Sequence, residues 1–297
     1  MIKCSLGIFA YNEEKNIGQL LNAVENQDLN QASIEEVIVV SSNSTDRTDD
    51  IVREFASKNP KIKLIVQEER KGKSSAINIF LREAKSDILI IESADTIPAK
   101  DTIEKLVLPF SDEKVGMTGG RPEPINSPKT FIGFAVFMLW RLHHKMAMIS
   151  PKLGEMVAFR NLVKEIPEHS PVDEASIEAI IRNYGLEKKY IPEAIVHNKG
   201  PENVGDFLKQ RRRIYAGHLW LEKNQNYKVV TQKSGLIIKL TMTEFSLNII
   251  KDAKILFTIF LEVLGRFLGW YDFKILKKNP YKWEIASSTK DLSQNRF

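Results

Sequence analysis

Residues 87–101 read DILIIESADTIPAKD: an apolar run that stops at Glu92, Ser93, Ala94 and Asp95, with Pro98 just behind. A short apolar run bounded by polar residues and a proline predicts a strand buried on both faces. A carboxylate at the end of such a strand either caps the following segment or holds something positive. Upstream, CSLGIFA (4–10), EEVIVVSS (35–42) and IKLIVQ (62–67) repeat the strand pattern. Between the strands lie NEEKNIGQLLNAVENQ (12–27), STDRTDDIVREFASK (44–58) and SSAINIFLREA (74–84), with helical spacing and with Asn12 and Ser44 or Thr45 as expected N-caps. This alternation predicts an α/β fold, a mostly parallel doubly wound sheet with helices on both faces. Ligands of such sheets bind outside the carboxyl ends of the strands, where YNEE, SSNSTD and ESAD all fall.

Past residue 120 the rhythm loosens. GMTGGRP (116–122) reads as a strand end and turn, TFIGFAVFMLW (130–140) as a helix, and DEASIEAIIRNYG as a helix ended by Gly185. KKYIPEAIVHN then reads as a strand and VGDFLKQRRRIYAGHLWL as a basic helix, and the polar residues from about Ser287 read as a frayed tail. At 297 residues the chain is expected to hold one domain over 1–225, in two halves of 1–120 and 121–225, with a C-terminal amphipathic helical region over 226–297.

The formal charge is +5, with the excess in RLHHK, KQRRR and KILKK of the second half. That distribution suits a phosphate-bearing ligand or an anionic membrane surface rather than a nucleic-acid groove. The single cysteine, Cys4, excludes an internal disulfide and a cysteine zinc site. MIKCSLGIFAYNEE lacks the apolar core of a signal peptide, so the α/β region is expected in the cytoplasm. Two segments, 130–140 and ILFTIFLEVLGRFLGWYDF (255–273), carry a polar stripe, aromatics and flanking basic residues, and read as helices lying in a bilayer interface. Core helices, or a homodimer contact, are the alternative for both.

The order and spacing of AYNEEKNIGQLL, VIVVSSNSTDRT, RKGKSSAIN, IIESADTIP, PVDEASIEAIIRNYG and KQRRRIYAG resemble those of the family 2 glycosyltransferases of GT-A fold, over residues 3 to 222. The resemblance implies an inverting transfer of a hexose from a nucleotide-diphosphate sugar, UDP- or GDP-linked, to a hydroxyl acceptor. The apolar segment 130–140, which lies between GGRP (119–122) and PKLGEMVAFR (151–160), adds the expectation that the acceptor is a lipid-linked saccharide or glycan at the cytoplasmic membrane face. The resemblance also implies Mg²⁺ or Mn²⁺, which take oxygen ligands and neutralise a departing diphosphate.

Carried over by position, the resemblance places Ala10, Tyr11, Glu13, Ser42, Lys73 and Ser93 on the nucleotide, with Arg70 beside Lys73. Asp95 is the metal residue, and His197 is a candidate ligand one position before the family's usual histidine. Glu174 takes the catalytic-base role, with Asp173 beside it in reversed order. Arg121 and Glu155 line the donor-sugar and acceptor cleft, while Gln210 and Arg213 share a helix face toward the diphosphate. Arg211 and Arg212 are expected in solvent or at lipid headgroups.

Carboxylates usual in the family are replaced by Ser41, Ser42 and Ser93, and Ile214 replaces a tryptophan. The base therefore stays unassigned between uracil and guanine. Two alternatives stay open: transfer to a polyprenyl phosphate, which would not need Glu174, and a degenerate module that binds a membrane or partner without catalysis.

Overall fold

The computed structural model describes residues 1–230, 234–279, 281 and 287–292. Strands β1 (Ile2–Ala10), β2 (Ala32–Ser41), β3 (Ile62–Val66), β4 (Ile88–Ser93), β5 (Thr96–Pro98), β6 (Val115–Pro124), β7 (Val157–Arg160) and β8 (Glu187–Asn198) form one sheet in the order β3-β2-β1-β4-β7-β6-β8-β5. β3, β2, β1 and β4 are parallel, as are β6 and β8; β7 runs antiparallel between β4 and β6, and β5 antiparallel to β8.

Period-two alternation sorts the central strands onto two cores. Leu6, Ile8, Val39 and Ile90 face one side and pack with Ile17, Leu20 and Leu21 of α1 (Ile17–Glu25) and Val52 of α2 (Thr48–Lys58). Phe9, Ile38, Val40, Leu89 and Ile91 face the other and pack with Ile77 and Phe80 of α3 (Lys73–Glu83) and Ile177 and Ile181 of α6 (Asp173–Asn183). Each fully buried side chain of this size contributes about 1.5–3 kcal/mol. α4 (Thr102–Val107) completes the first layer.

The expected caps of the first two helices are not formed. α1 begins at Ile17 and α2 at Thr48, because Asn12 is in the left-handed region at φ 54° and its carboxamide is spent on Thr45 N, 2.8 Å away. Asp46 Oδ1 accepts from Thr48 N at 3.0 Å instead.

The C-terminal helices stack on the second half of the sheet. α5 (Phe131–Ile149) packs through Ile132, Ala135 and Val136 with Phe207 of α7 (Val204–Gln225) and Leu261 of α9 (Ile249–Lys274), while α8 (Ser234–Met242) adds Leu240 beside Met138 and Leu142. The 130–140 segment is therefore a core helix, which corrects its reading as an interfacial one: α9 covers the apolar face that hydropathy alone leaves unassigned. α7 and α9 approach through Gly265 and Gly269; a Cβ there would lie 2.6 Å from Arg211 Cβ and 2.5 Å from Arg212 O. Arg211 Nε lies 2.6 Å from Glu262 Oε2 and Arg212 pairs with Asp272. These two arginines fasten α9 rather than standing in solvent or meeting lipid. The segment from Ser287 also departs from its reading as a frayed tail, at least as far as Leu292, which is fully buried.

Candidate active site

The site is built from loops at the carboxyl ends of β1, β2 and β4. The first two loops are sewn together: Asn12 N donates to Ser44 Oγ at 3.1 Å, Glu13 N to Thr48 Oγ1 at 2.7 Å and Glu14 N to Asp46 Oδ2 at 3.1 Å. Non-glycine residues with positive φ, Asn12 at 54° and Asn43 at 59°, sit at this junction, the strained kind of backbone that gathers at ligand sites.

One cavity of about 520 Å³ opens over these loops, lined by Ala10, Tyr11, Glu13, Ser42, Arg70, Lys73, Ser93 and Asp95 on the sheet side. The Arg70 guanidinium lies 4.1 Å from the centre of the Tyr11 ring, so that ring face is an aromatic and cationic platform. Ser42 Oγ donates to Gln67 Oε1 at 2.9 Å, leaving a hydroxyl where a carboxylate would carry charge. Glu13 is buried and held by Asn16 Nδ2 at 2.9 Å and by an ion pair with Lys290. Lys290 Nζ also donates to Tyr11 O at 3.2 Å, Ser288 Oγ to Asp206 Oδ2 at 2.7 Å, and Leu292 N to Asn16 Oδ1 at 3.0 Å. Residues 288–292 thus form a strap from α7 to α1, and Thr289 and Lys290 wall the cavity. Sequence reasoning missed this strap, whose only apolar anchor is Leu292.

A second cavity of about 710 Å³ lies toward the C-terminal helices and shares Lys73, Ser93, Asp95, Gln210, Arg213 and Thr289 with the first. At this shared centre Lys73 Nζ lies 3.2 Å from Glu174 Oε1 and 3.5 Å from Asp173 Oδ2. Burial would lower the Lys73 ammonium, but Glu174 and Asp173 outweigh it and hold the pKa above its ordinary value. Burial raises Asp95, opposed by Lys73 and Arg213; it also raises Asp173 to about 6 against the pull of Lys73. Glu155 rises to about 7 through burial and the neighbouring Asp95 and Glu174, and its backbone is left-handed at φ 61°. Asn198 Nδ2 donates to Glu155 Oε1 at 3.1 Å. Arg213 is lowered to about 10 by burial, although Asp95, Asp173, Glu155 and Glu174 all act to raise it, and a guanidinium at that value stays charged at neutral pH.

Four carboxylates therefore face two cations, and neither oxygen of the buried Asp173 accepts a hydrogen bond among the described residues. Such a centre is short of positive charge and fits a hard divalent cation. Among the described residues no three histidine, cysteine, aspartate or glutamate side chains converge as a complete cage. A cation here would accordingly take Asp95 and fill its shell from phosphate oxygens and water, as Mg²⁺ does. Glu92 answers for the strand end in a different way: it is buried, pushed up to about 8 by burial, and accepts from Thr96 Oγ1 at 2.9 Å. It is a structural carboxyl, whereas Asp95 lines both cavities.

Glu174 and Glu155 line the larger cavity, and Asp173 sits just behind, 1% exposed. Two sequence-selected residues are not brought in. The alternation of β8 puts Ala194, Val196 and Asn198 inward and leaves His197 on the opposite face, where Glu123 acts on it. Arg121 pairs with Glu123 at 3.1 Å on β6 and lines neither cavity. The larger cavity also holds His143, Lys152 and His218, none of which sequence spacing singled out for it.

Comparison with known proteins agrees with this geometry. The model of the family described as Glycosyl transferase family 2 matches residues 5–166. The chain is 32% identical over 235 residues to "Probable glycosyltransferase YdaM" of Bacillus subtilis (strain 168), covering 74% of this chain and 56% of that protein. It is 31% identical over 180 residues to "Dolichol-phosphate mannosyltransferase" of Pyrococcus furiosus, covering 58% of this chain and 50% of the relative. The chain thus spans about half the length of these curated relatives. Among solved structures, the mannosyltransferase PcManGT from Pyrobaculum calidifontis, in complex with GDP-Man and Mn²⁺, superposes with a TM-score of 0.61 at 21% identity, covering 94% of this chain and 81% of the other. Motif order, sheet topology and family match converge: the chain belongs to glycosyl transferase family 2.

Proposed function

We propose that this protein is an inverting, cation-dependent transferase that moves a hexose from a UDP- or GDP-sugar to a hydroxyl of an acceptor presented by the cytoplasmic face of a membrane. The observation that carries the reading is the meeting of two cavities at Lys73, Ser93, Asp95, Gln210 and Arg213. The smaller, with its Tyr11 platform, suits the nucleoside; the shared centre suits the diphosphate; the larger suits the acceptor. PcManGT, of the same fold, holds GDP-Man and Mn²⁺.

In this mechanism Asp95 would hold Mg²⁺ or Mn²⁺, which would supply positive charge to the diphosphate. Lys73 and Arg213 add fixed cations at the same place and stabilise the charge that develops on the leaving oxygen. The acceptor oxygen bonds to the anomeric carbon from the face opposite the leaving group. The bond from that carbon to the phosphate oxygen breaks, and its electron pair leaves with the nucleoside diphosphate. Glu174, on the wall of the acceptor cavity, takes the hydroxyl proton. Lys73 positions Glu174, and Asp173 shares that ammonium from behind.

The membrane half rests on α9. Leu256, Phe260, Val263, Phe267 and Trp270 recur at helical spacing and are all exposed, with Lys274, Lys277 and Lys278 at the end. Val263, together with exposed Ile238 and Met242 of α8, also lines the larger cavity, so the acceptor site opens onto the apolar face. Among the described residues no helix is long and apolar enough to cross a membrane, and the exposed face of α9 suits a helix lying in the interface.

The test is a panel of UDP- and GDP-sugars incubated with the full chain and Mn²⁺, with release of nucleotide as the readout. Turnover of one donor, abolished by chelation, is expected. No turnover and no binding of any donor would contradict the reading and favour a non-catalytic module.

A further inference from the structure

The larger cavity has a second polar pole, which the transfer chemistry does not use. Lys152, Arg211, Arg266, His143 and His218 all line it amid Val136, Leu139, Trp140, Met146, Leu240 and Ile259. The charges acting most strongly on Lys152 are Arg211, Glu178, Glu262 and Arg266, none of them part of the centre around Asp95. These positive groups are under-compensated. Glu262 alone serves two guanidiniums, Arg211 Nε at 2.6 Å and Arg266 Nε at 2.8 Å, and Glu178 is taken by Lys188 and the Tyr227 hydroxyl.

Among the described residues Lys152 has neither a hydrogen bond nor an ion pair, and burial pushes its pKa down to about 8. His143 is 6% exposed and its Nδ1 meets no hydrogen-bond partner among the described residues. Burial holds His143 and His218 well below the ordinary histidine range, so both are neutral and each offers an N–H. A cation and an imidazole nitrogen without partners among the described residues, in a mostly apolar cavity, are costly, and their chemistry suits an anionic ligand.

We infer that Lys152, Arg211 and Arg266, with His143 and His218, form a subsite for a phosphate or diphosphate group carried by an apolar-tailed acceptor. The inference rests on the transferase reading for the acceptor's role, and it makes the acceptor an anionic lipid rather than a neutral glycan. The geometry suits both parts of such a molecule. The phosphate meets the cationic pole, and the hydrocarbon leaves past Val263, Ile238 and Met242 onto the apolar face. The acceptor hydroxyl is then held at Glu174 by a charge some distance from the reacting atoms, which is how remote binding energy orients a substrate.

The test is calorimetric, with the full chain and three probes: farnesyl phosphate, farnesol and inorganic pyrophosphate. Farnesyl phosphate is expected to bind at least about tenfold more tightly than farnesol, as a charge-assisted contact provides. Lys152→Met and Arg266→Met should each remove most of that preference, and Lys152→Arg should keep it; Lys152→Gln serves if the Met variant does not fold. Equal affinity of the two prenyl compounds, or a preference that survives both Met substitutions, would overturn the subsite. Pyrophosphate binding as tightly as farnesyl phosphate, and weakened equally by Lys152→Met, would overturn its assignment to a lipid-borne group. Titration with UDP and GDP in Mn²⁺ separates the two readings: loss of nucleotide binding with the prenyl phosphate preference intact removes the transferase and leaves the subsite standing.

Discussion

Lys73 Nζ lies 3.2 Å from Glu174 Oε1, so a turn residue of the nucleotide half is joined to the first turn of the acceptor-side helix across 101 positions of sequence. The contact couples the two cavities. In the proposed mechanism it holds the carboxylate that would receive the proton beside the cation that would face the departing diphosphate.

Glu174→Gln should lower kcat on a hydroxyl acceptor by at least about a hundredfold while leaving the donor KM within about threefold. Glu155→Gln, which keeps the bond from Asn198 possible, should cost less. Initial rates on hydroxyl and phosphate acceptors check this: normal turnover of Glu174→Gln on the hydroxyl acceptor removes the base from the mechanism.

The strap supplies a second expectation. Lys290→Met strands the buried Glu13 carboxylate with only Asn16, and should lower stability by about 2–3 kcal/mol and weaken nucleotide binding. Adding Glu13→Gln should recover much of the loss. Chemical denaturation of the four proteins of this cycle gives the coupling. Additive effects would show that the two side chains do not act as a pair.

Much of the candidate site was legible because it lies at strand ends that sequence periodicity locates, where the family resemblance then picks the residues. Asp95, Lys73, Glu174, Gln210 and Arg213, which the family resemblance carries over by position, all line the larger cavity. His197 stands one position before the family's usual histidine, and on a strand one residue reverses the face. Arg121 follows a register shift after Gly119 in the β6–β8 pairing, and such a bulge re-aims the next side chain. The α5 helix was read as lipid-facing because hydropathy does not say whether lipid or another helix covers an apolar face. The strap was illegible for a different reason: Lys290 and Glu13 are 277 positions apart, and no local pattern announces their pairing.

The exposed face of α9 gives a third prediction. Replacing Phe260, Phe267 and Trp270 together by serine should release the protein from vesicles containing anionic lipid, and raising the salt should weaken what remains. Vesicle sedimentation checks this, and unchanged pelleting would reject attachment through α9.

Lys152→Met should stabilise the protein at pH 7 by on the order of 2 kcal/mol, because a partly exposed ammonium that is disfavoured by desolvation and by the charges of Arg211 and Arg266 is removed. The folded pKa of about 8 lies below the ordinary lysine value of 10.5, so the penalty is complete below pH 8. It falls as the folded state sheds its proton, and the advantage of Met should shrink as the pH rises from about 8 toward 10. Thermal denaturation at pH 7 and pH 10 measures it. A loss of stability at pH 7 would show that Lys152 is a structural cation.

The central claim is a cation at Asp95 between protein and diphosphate. Anomalous diffraction from a crystal soaked with Mn²⁺ and the donor nucleotide tests it most directly. A manganese peak within coordination distance of an Asp95 carboxylate oxygen and of the diphosphate is the predicted result; a bound nucleotide with no ion there, and Asp95 turned away, would contradict it.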